Sequence, residues 1–141
     1  DKAEKIPGDG VVTGWGTGGT LTGAGEVIKL ARPETKVIVA APAAASLLAG
    51  KPFAPHKIQG WTPDFIPKVL KKEVADRIVE VSDADAIASA RALAQREGIF
   101  CGISSGATFA AAGEPTPLAM VVYSPRSTSI ATSRSVPNCG A

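Results

Sequence analysis

The chain has 141 residues, a formal net charge of +2 and 45% hydrophobic residues, the size of one ordinary domain with enough apolar side chains for a core. A charge so close to zero, with Lys and Arg scattered rather than gathered in a stripe, argues against nucleic acid or an anionic membrane surface as a partner. No apolar run approaches the length of a membrane span.

The opening Asp1-Lys2-Ala3-Glu4-Lys5 is charged and lacks the apolar centre of a secretory leader. It runs straight into a turn and a strand, as a piece cut from a longer polypeptide would. Gly10-Val11-Val12-Thr13-Gly14 reads as a short buried strand ending in a glycine-rich turn. From Thr20 the period becomes helical, with Leu21, Ala24, Val27, Ile28 and Ala31 on one face, and Arg32-Pro33 stops the helix. Residues 36–41, Lys-Val-Ile-Val-Ala-Ala, form a second buried strand. Strand, helix and strand in so short a stretch make a parallel crossover unit.

The segment from Pro42 to Pro67 is rich in proline, glycine and aromatics, and long irregular loops in compact domains tend to carry function. Arg77 to Val81 is a third strand. Ser82-Asp83-Ala84-Asp85 resembles a capping box and opens a helix with Ala86, Ile87, Ala90, Leu93 and Ala94 on one face, stopped by Gly98. Ile99-Phe100-Cys101-Gly102 is expected to be a fourth short strand with Cys101 buried, leading through Ser104-Ser105-Gly106 into a helix from Ala107 to Ala112. After Gly113, Pro115 and Pro117, residues 118–123 read as one more strand, and from Ser124 no regular structure is expected. The alternation predicts an α/β fold, an open, mostly parallel sheet with helices on both faces in three layers. It spans 1–123, with 124–141 as an unstructured tail.

Cys101 and Cys139 are far apart and His56 is the single histidine, so no metal set is expected and a reducing cytoplasm is the default location. The turn Gly14-Trp15-Gly16-Thr17-Gly18-Gly19-Thr20 lies between a strand and a helix start, where backbone amides and the helix dipole converge on an anion. No lysine follows the glycines, which excludes a nucleotide P-loop. Gly14, Gly16 and Gly19 also satisfy a dinucleotide fingerprint, but the second strand ends Ala40-Ala41-Pro42 without the ribose-binding carboxylate. Phosphate binding is therefore preferred, and a merely structural turn comes last. Ser104 and Ser105 repeat the arrangement at a second helix start, where a ligand-facing hydroxyl and a simple helix cap are equally good readings.

Together these segments resemble the cysteine synthase (O-acetylserine sulfhydrylase) group of fold type II pyridoxal-phosphate enzymes, the tryptophan synthase β-like family. The matching stretches are Thr13 to Gly25, Pro55-His56-Lys57-Ile58-Gln59-Gly60, Asp64-Phe65-Ile66-Pro67 and Gly102 to Ala107. The resemblance implies that pyridoxal 5'-phosphate rests its phosphate on Gly16, Thr17, Gly18, Gly19 and Thr20, with Ser104 bonding the pyridine nitrogen. The segment Lys57 to Trp61 would lie near the active-site mouth, with Gln59 and Gly60 binding substrate. It implies β-replacement, in which acetate leaves O-acetylserine and sulfide adds to give cysteine, within a homodimer that takes serine acetyltransferase as a candidate partner.

This chain departs from the family pattern in two places. The Schiff-base lysine and the substrate-carboxylate loop belong upstream of the cup, so no catalytic residue is assigned here, and Lys29, Lys57 and Lys71 are expected to be solvated. From Gly113 the sequence matches none of the family's continuation, as a shifted reading frame or truncated gene would give. The alternatives are a cystathionine β-synthase-like chain, disfavoured by the segment from His56 to Gly60, and an inactive remnant that binds only cofactor or a partner subunit.

Overall fold

The computed structural model of the protein describes residues 10–113, 119–124 and 127–132. Strand β2 (Lys36–Pro42) is buried at every position after Lys36. Continuous burial of this kind marks a strand covered on both faces. Strand β1 (Gly10–Thr13) pairs parallel to it on one side and β3 (Arg77–Val81) on the other. Strand β4 (Ala119–Ser124) joins β1 in parallel, and β5 (Ser127–Thr132) closes that edge antiparallel, giving the order β3-β2-β1-β4-β5.

Side chains alternate between the faces of β2. Val37 and Val39 pack with Trp15, Leu21, Leu48, Leu70 and Val74 on the side of helix α1 (Gly19–Ala31). Ile38 and Ala40 join Val12, Ile58, Trp61, Val81, Ala86, Ala107 and Ala111 on the side of α2 (Asp83–Glu97) and α3 (Ile103–Ala112). Helices cover both faces, the three-layer α/β arrangement expected. Among the described residues no helix is long and apolar enough to cross a membrane.

Helix α1 turns a different face inward from the one its periodicity suggests. Leu21, Thr22 and Gly25 are buried, whereas Val27 is 64% exposed. Gly25 explains the rotation: a Cβ there would lie 2.3 Å from Val74 Cγ1, so the helix approaches through its small residues. Helix α2 starts as expected. Ser82 Oγ accepts from the Asp85 amide at 3.1 Å and donates to the Asp85 carboxylate at 2.6 Å, and Gly98 ends the helix at φ 67°.

Two other expectations fail. Residues 99–102 form no strand: Phe100 is 96% exposed, Ile99 is exposed and Cys101 is only half-buried. The sheet position beside β1 is taken by β4, and residues 99–102 instead carry the chain from the end of α2 back to the start of α3. The expected absence of structure beyond Ser124 does not hold over Ser127–Thr132, which pairs residue by residue with β4 from Ser124↔Ser127 to Ala119↔Thr132. Thr128, Ile130 and Thr132 are β-branched residues at alternating positions, a strand pattern that the small Ser129 and Ala131 between them obscure. The rest of the tail, including Cys139, lies outside the described residues.

At the amino ends of the strands Asp76 ties three segments together. Its carboxylate accepts from Lys29 Nζ of α1 and from the Val37 amide of β2 at 2.7 Å, with Lys36 Nζ 3.7 Å away. Partial burial pushes the Asp76 carboxyl up, but the bonds from Lys29 and Val37 and the nearby positive charges outweigh it and hold its pKa below the ordinary value. Lys29 is thus ion-paired rather than solvated, and Lys71 pairs with Glu26.

A carboxyl with a depressed folded pKa stabilises the fold above the unfolded pKa, and that contribution fades as pH falls through the folded value. Asp76→Asn should therefore destabilise the chain at neutral pH and flatten the loss of stability below about pH 4. Urea unfolding of both forms at neutral and acid pH checks this; parallel pH profiles would contradict it. Packing gives a second expectation. A Cβ on Gly106 of α3 would lie 2.1 Å from the Ala86 carbonyl oxygen and 2.6 Å from the Ala90 amide nitrogen of α2, whereas one on Gly23 of α1 meets nothing within 4 Å. Gly106→Val should cost about 1–3 kcal/mol or more, while Gly23→Ala should add roughly 0.5–1 kcal/mol. Denaturation midpoints of the two variants read the contrast directly.

Candidate functional site

In a parallel sheet, ligands gather beyond the carboxyl ends of the strands. At the carboxyl end of β1 the chain turns through Gly14 to Gly18 into α1. The N-cap of α1 is Gly18, left-handed at φ 83°, and no side chain caps the helix. Gly19 N–H reaches Thr17 Oγ1 only at 3.5 Å, and the Thr20 and Leu21 amides find no acceptor among the described residues. No acidic residue occupies the first turn. Donors left free by the backbone, with no competing anion, make an anion-accepting helix start. They border a shallow, open cleft lined by Gly14, Trp15, Gly16, Thr17, Gly18, Thr20, Leu21 and Trp61.

The glycines serve a second purpose that the sequence does not reveal. The segment from Ile58 to Thr62 lies directly on the turn. A Cβ on Gly14 would fall 2.0 Å from Trp61 Cε2, and one on Gly16 would fall 2.4 Å from the Gly60 carbonyl oxygen. The Thr62 amide donates to the Trp15 carbonyl at 2.8 Å. Gly18 is closed in the same way by Leu70, whose Cβ would be 2.6 Å from a side chain there. Gly19 is the exception, with Thr17 Oγ1 at 3.6 Å as the nearest atom to a Cβ.

The second constellation reaches the same edge of the sheet through a chain of contacts. Helix α2 begins just past the carboxyl end of β3, and its Asp83 carboxylate accepts from the Lys57 amide at 3.0 Å. Gly106, in the first turn of α3, rests on Ala86 and Ala90 in the first turns of α2. Ser104, two residues before Gly106, therefore lies at the carboxyl edge as well. Trp61 joins the two halves, packed on Gly14 and buried in one cluster with Ala107 and Ala111.

Neither serine is a helix cap. The cap position is Gly102, without a side-chain bond. The Ser104 carbonyl accepts from Thr108 Oγ1 at 3.0 Å, while its hydroxyl makes no hydrogen bond among the described residues. Ser105 is buried. Burial pushes the neighbouring Cys101 thiol up, against an opposing hydrogen bond with Ser105, so it is a poor thiolate. Gln59 and Gly60 are exposed beside the turn, Gly60 at φ 79°. Lys29, Lys57 and Lys71 do not line the cleft. Among the described residues no group of three or more His, Cys, Asp or Glu side chains could hold a metal ion.

Thr62 is not marked in the sequence as a site-shaping residue, and Trp61 only as the end of the Lys57 to Trp61 segment that the resemblance puts near the active-site mouth. The one available signal was an aromatic residue directly after the Gln59-Gly60 pair in a long irregular loop.

Comparison with known proteins bears on this site. The profile of the pyridoxal-phosphate dependent enzyme family matches residues 4–123, past Gly113, so the expected break with the family at that residue does not hold. An O-ureido-L-serine synthase from Streptomyces lavendulae is 48% identical over 74% of this chain and 32% of its own length. A probable cysteine synthase from Bacillus subtilis is 46% identical over 70% of this chain and 32% of its own length. The crystal structure of an O-ureido-L-serine synthase superposes with a TM-score of 0.73 at 43% identity, over 79% of this chain and 38% of that one. An O-acetylserine sulfhydrylase from Entamoeba histolytica gives 0.70 at 42%, over 72% of this chain and 30% of that one. The chain thus spans about a third of the length of these relatives. With a family profile covering most of its residues and a sheet and helix arrangement shared with cysteine synthase-like enzymes, this chain belongs to the pyridoxal-phosphate dependent enzymes.

Proposed function

We propose that this chain forms the cofactor-phosphate side of a cysteine synthase-like β-replacement enzyme acting on O-acetylserine and sulfide. The observation that carries the reading is the uncapped, acid-free start of α1 at the carboxyl end of β1, opening on the cleft. Gly16 to Thr20 fit a phosphate by their free amides, by the Thr17 and Thr20 hydroxyls and by the open approach at Gly19.

Pyridoxal phosphate, when bound, supplies the electron sink for chemistry at the substrate α-carbon. The chain's own residues would hold and tune it. The Ser104 hydroxyl would donate to the pyridine nitrogen without a negative charge to keep that nitrogen protonated, which leaves the ring a weaker sink. A weaker sink favours loss of a good leaving group from the β-carbon over transamination. Gln59 and Gly60 would border the substrate, and Trp61 excludes water from the inner wall of the cleft. Lys29 and Lys71 are committed to Asp76 and Glu26, and the α-proton step is assigned to a lysine that these 141 residues do not include. The homodimer and the serine acetyltransferase partner belong to the same proposal. A second reading rests on the 48% identity to an O-ureido-L-serine synthase, in which the incoming nucleophile would be oxygen rather than sulfide.

Titrating the 141-residue chain with pyridoxal phosphate tests the cup. Thr20→Val should weaken binding about ten-fold or more, because a charge-assisted hydrogen bond is worth roughly 1.5–3 kcal/mol. Equal affinity for both forms would put the phosphate elsewhere. Gly18→Val is a poor probe, since the left-handed backbone and Leu70 would disturb the fold first. The same preparation should show no turnover of O-acetylserine with sulfide or with an oxygen nucleophile above a cofactor-only control. Steady product formation would require a base within this chain and would overturn the assignment of that step.

A further inference from the structure

Among the described residues Thr62 is the one non-glycine residue with a positive φ, at 42°. A β-branched side chain in the left-handed region is a true outlier, and such a conformation persists only where its surroundings over-determine it. Pro63 follows and narrows the backbone choices of Thr62 further. The side chain is 1% exposed and its Oγ1 has no hydrogen-bond partner. Polar satisfaction therefore does not hold Thr62 in place.

What Thr62 touches supplies the reason. Its amide donates to the Trp15 carbonyl at 2.8 Å, at the centre of the glycine turn. The two residues before it press on the same turn, Trp61 against Gly14 and Gly60 against Gly16. A glycine at position 62 would take the same φ without strain but would be free to leave it. A threonine buried to this degree cannot swing away without unpacking.

We propose that Thr62 is a positioning residue for the phosphate cup. Its locked left-handed backbone fixes the Trp15 carbonyl, and with it the point from which Gly16 to Thr20 wrap toward the anion. This rests on the reading of Gly16 to Thr20 as the cup. Thr62 does not touch the cofactor in this account and acts through the turn.

Thr62→Gly and Thr62→Ala, compared with Thr20→Val in the 141-residue chain, test the proposal. Two measurements are made: affinity for pyridoxal phosphate and for inorganic phosphate, and amide exchange at residue 62 and Thr22 against the amides of α2. Thr62→Gly should weaken both ligands roughly three- to five-fold and should speed exchange at residue 62 and Thr22 more than in α2. Thr62→Ala keeps a side chain on the strained backbone and should stay close to the parent in both measurements. A purely packing role predicts instead that turn and α2 amides accelerate together, and that result overturns the proposal. So does Thr62→Ala behaving like Thr62→Gly, which would assign the effect to the hydroxyl. If Thr20→Val weakens binding while Thr62→Gly leaves affinity and local exchange unchanged, the cup stands and the positioning role falls. If the parent chain binds neither ligand, the cup reading falls and takes this role with it.

Discussion

The Trp61 ring lies on the bare backbone of Gly14, and the arrangement of the carboxyl edge depends on that contact. Any side chain at Gly14 would occupy the volume of the indole, with 2.0 Å separating a Cβ from the ring. Trp61 is 7% exposed and shares its buried cluster with Ile58, Ala107 and Ala111. One aromatic side chain thus fixes the glycine turn after β1 to the start of α3, two elements separated by most of the chain. Removing so large a buried ring would leave a cavity where the cleft needs a wall and would take away one of the contacts that set the spacing between the turn and α3.

The glycines of the turn meet two demands. An anion site needs backbone amides approachable from outside, and a packed loop needs the inner side of the turn to be flat. Gly14, Gly16 and Gly18 answer the second demand, because loop atoms occupy the place of each missing side chain. Gly19 alone is open, and the unaccepted amides of Thr20 and Leu21 follow it. Residue type alone does not separate these roles. The dinucleotide alternative fails in three dimensions for the reason visible in sequence. Ala40, Ala41 and Pro42 at the end of β2 are fully buried, and the strand itself ends without a carboxylate for a ribose.

How much could be read in the sequence depended on whether a signal was local. The strands at β1, β2 and β3, the Ser82–Asp85 cap and the Gly98 stop announce themselves through apolar runs and terminal residues, and each appears where expected. Helix α1 misled because its strongest apolar stripe is not the face that packs; Gly25 and Thr22 let the helix settle closer to Val74 than the stripe would. Ile99 to Gly102 has strand-like residues, but the place beside β1 is taken by β4, a fact that belongs to the sheet order and not to the segment. Ser127–Thr132 has the complementary history: weak local apolar content, made a strand by the partner β4. In the site, the turn and Ser104 were legible as helix starts. The loop beside them was legible as an irregular stretch at the substrate mouth, but not as the brace that packs on the glycines of the turn.

Charge is arranged unevenly across the sheet, and the unevenness suits the proposed ligand. The ionic cluster of Asp76 with Lys29 and Lys36 sits at the amino ends of β2 and β3 and joins α1 to the sheet. At the carboxyl ends the connections are different in kind: an apolar ring on Gly14, backbone contact at Gly16 and one amide-to-carbonyl bond at Thr62. The carboxylates nearest that edge already have partners, Asp83 on the Lys57 amide and Glu80 on Lys51 Nζ at 2.6 Å. An incoming phosphate at α1 therefore meets free amides and a helix dipole rather than an unpaired carboxylate in the first turn. The amino edge can rely on ion pairs to hold its geometry, because nothing charged has to bind there. Around the glycine turn the carboxyl edge is built from neutral contacts, and that leaves its donors available to a ligand instead of to the fold.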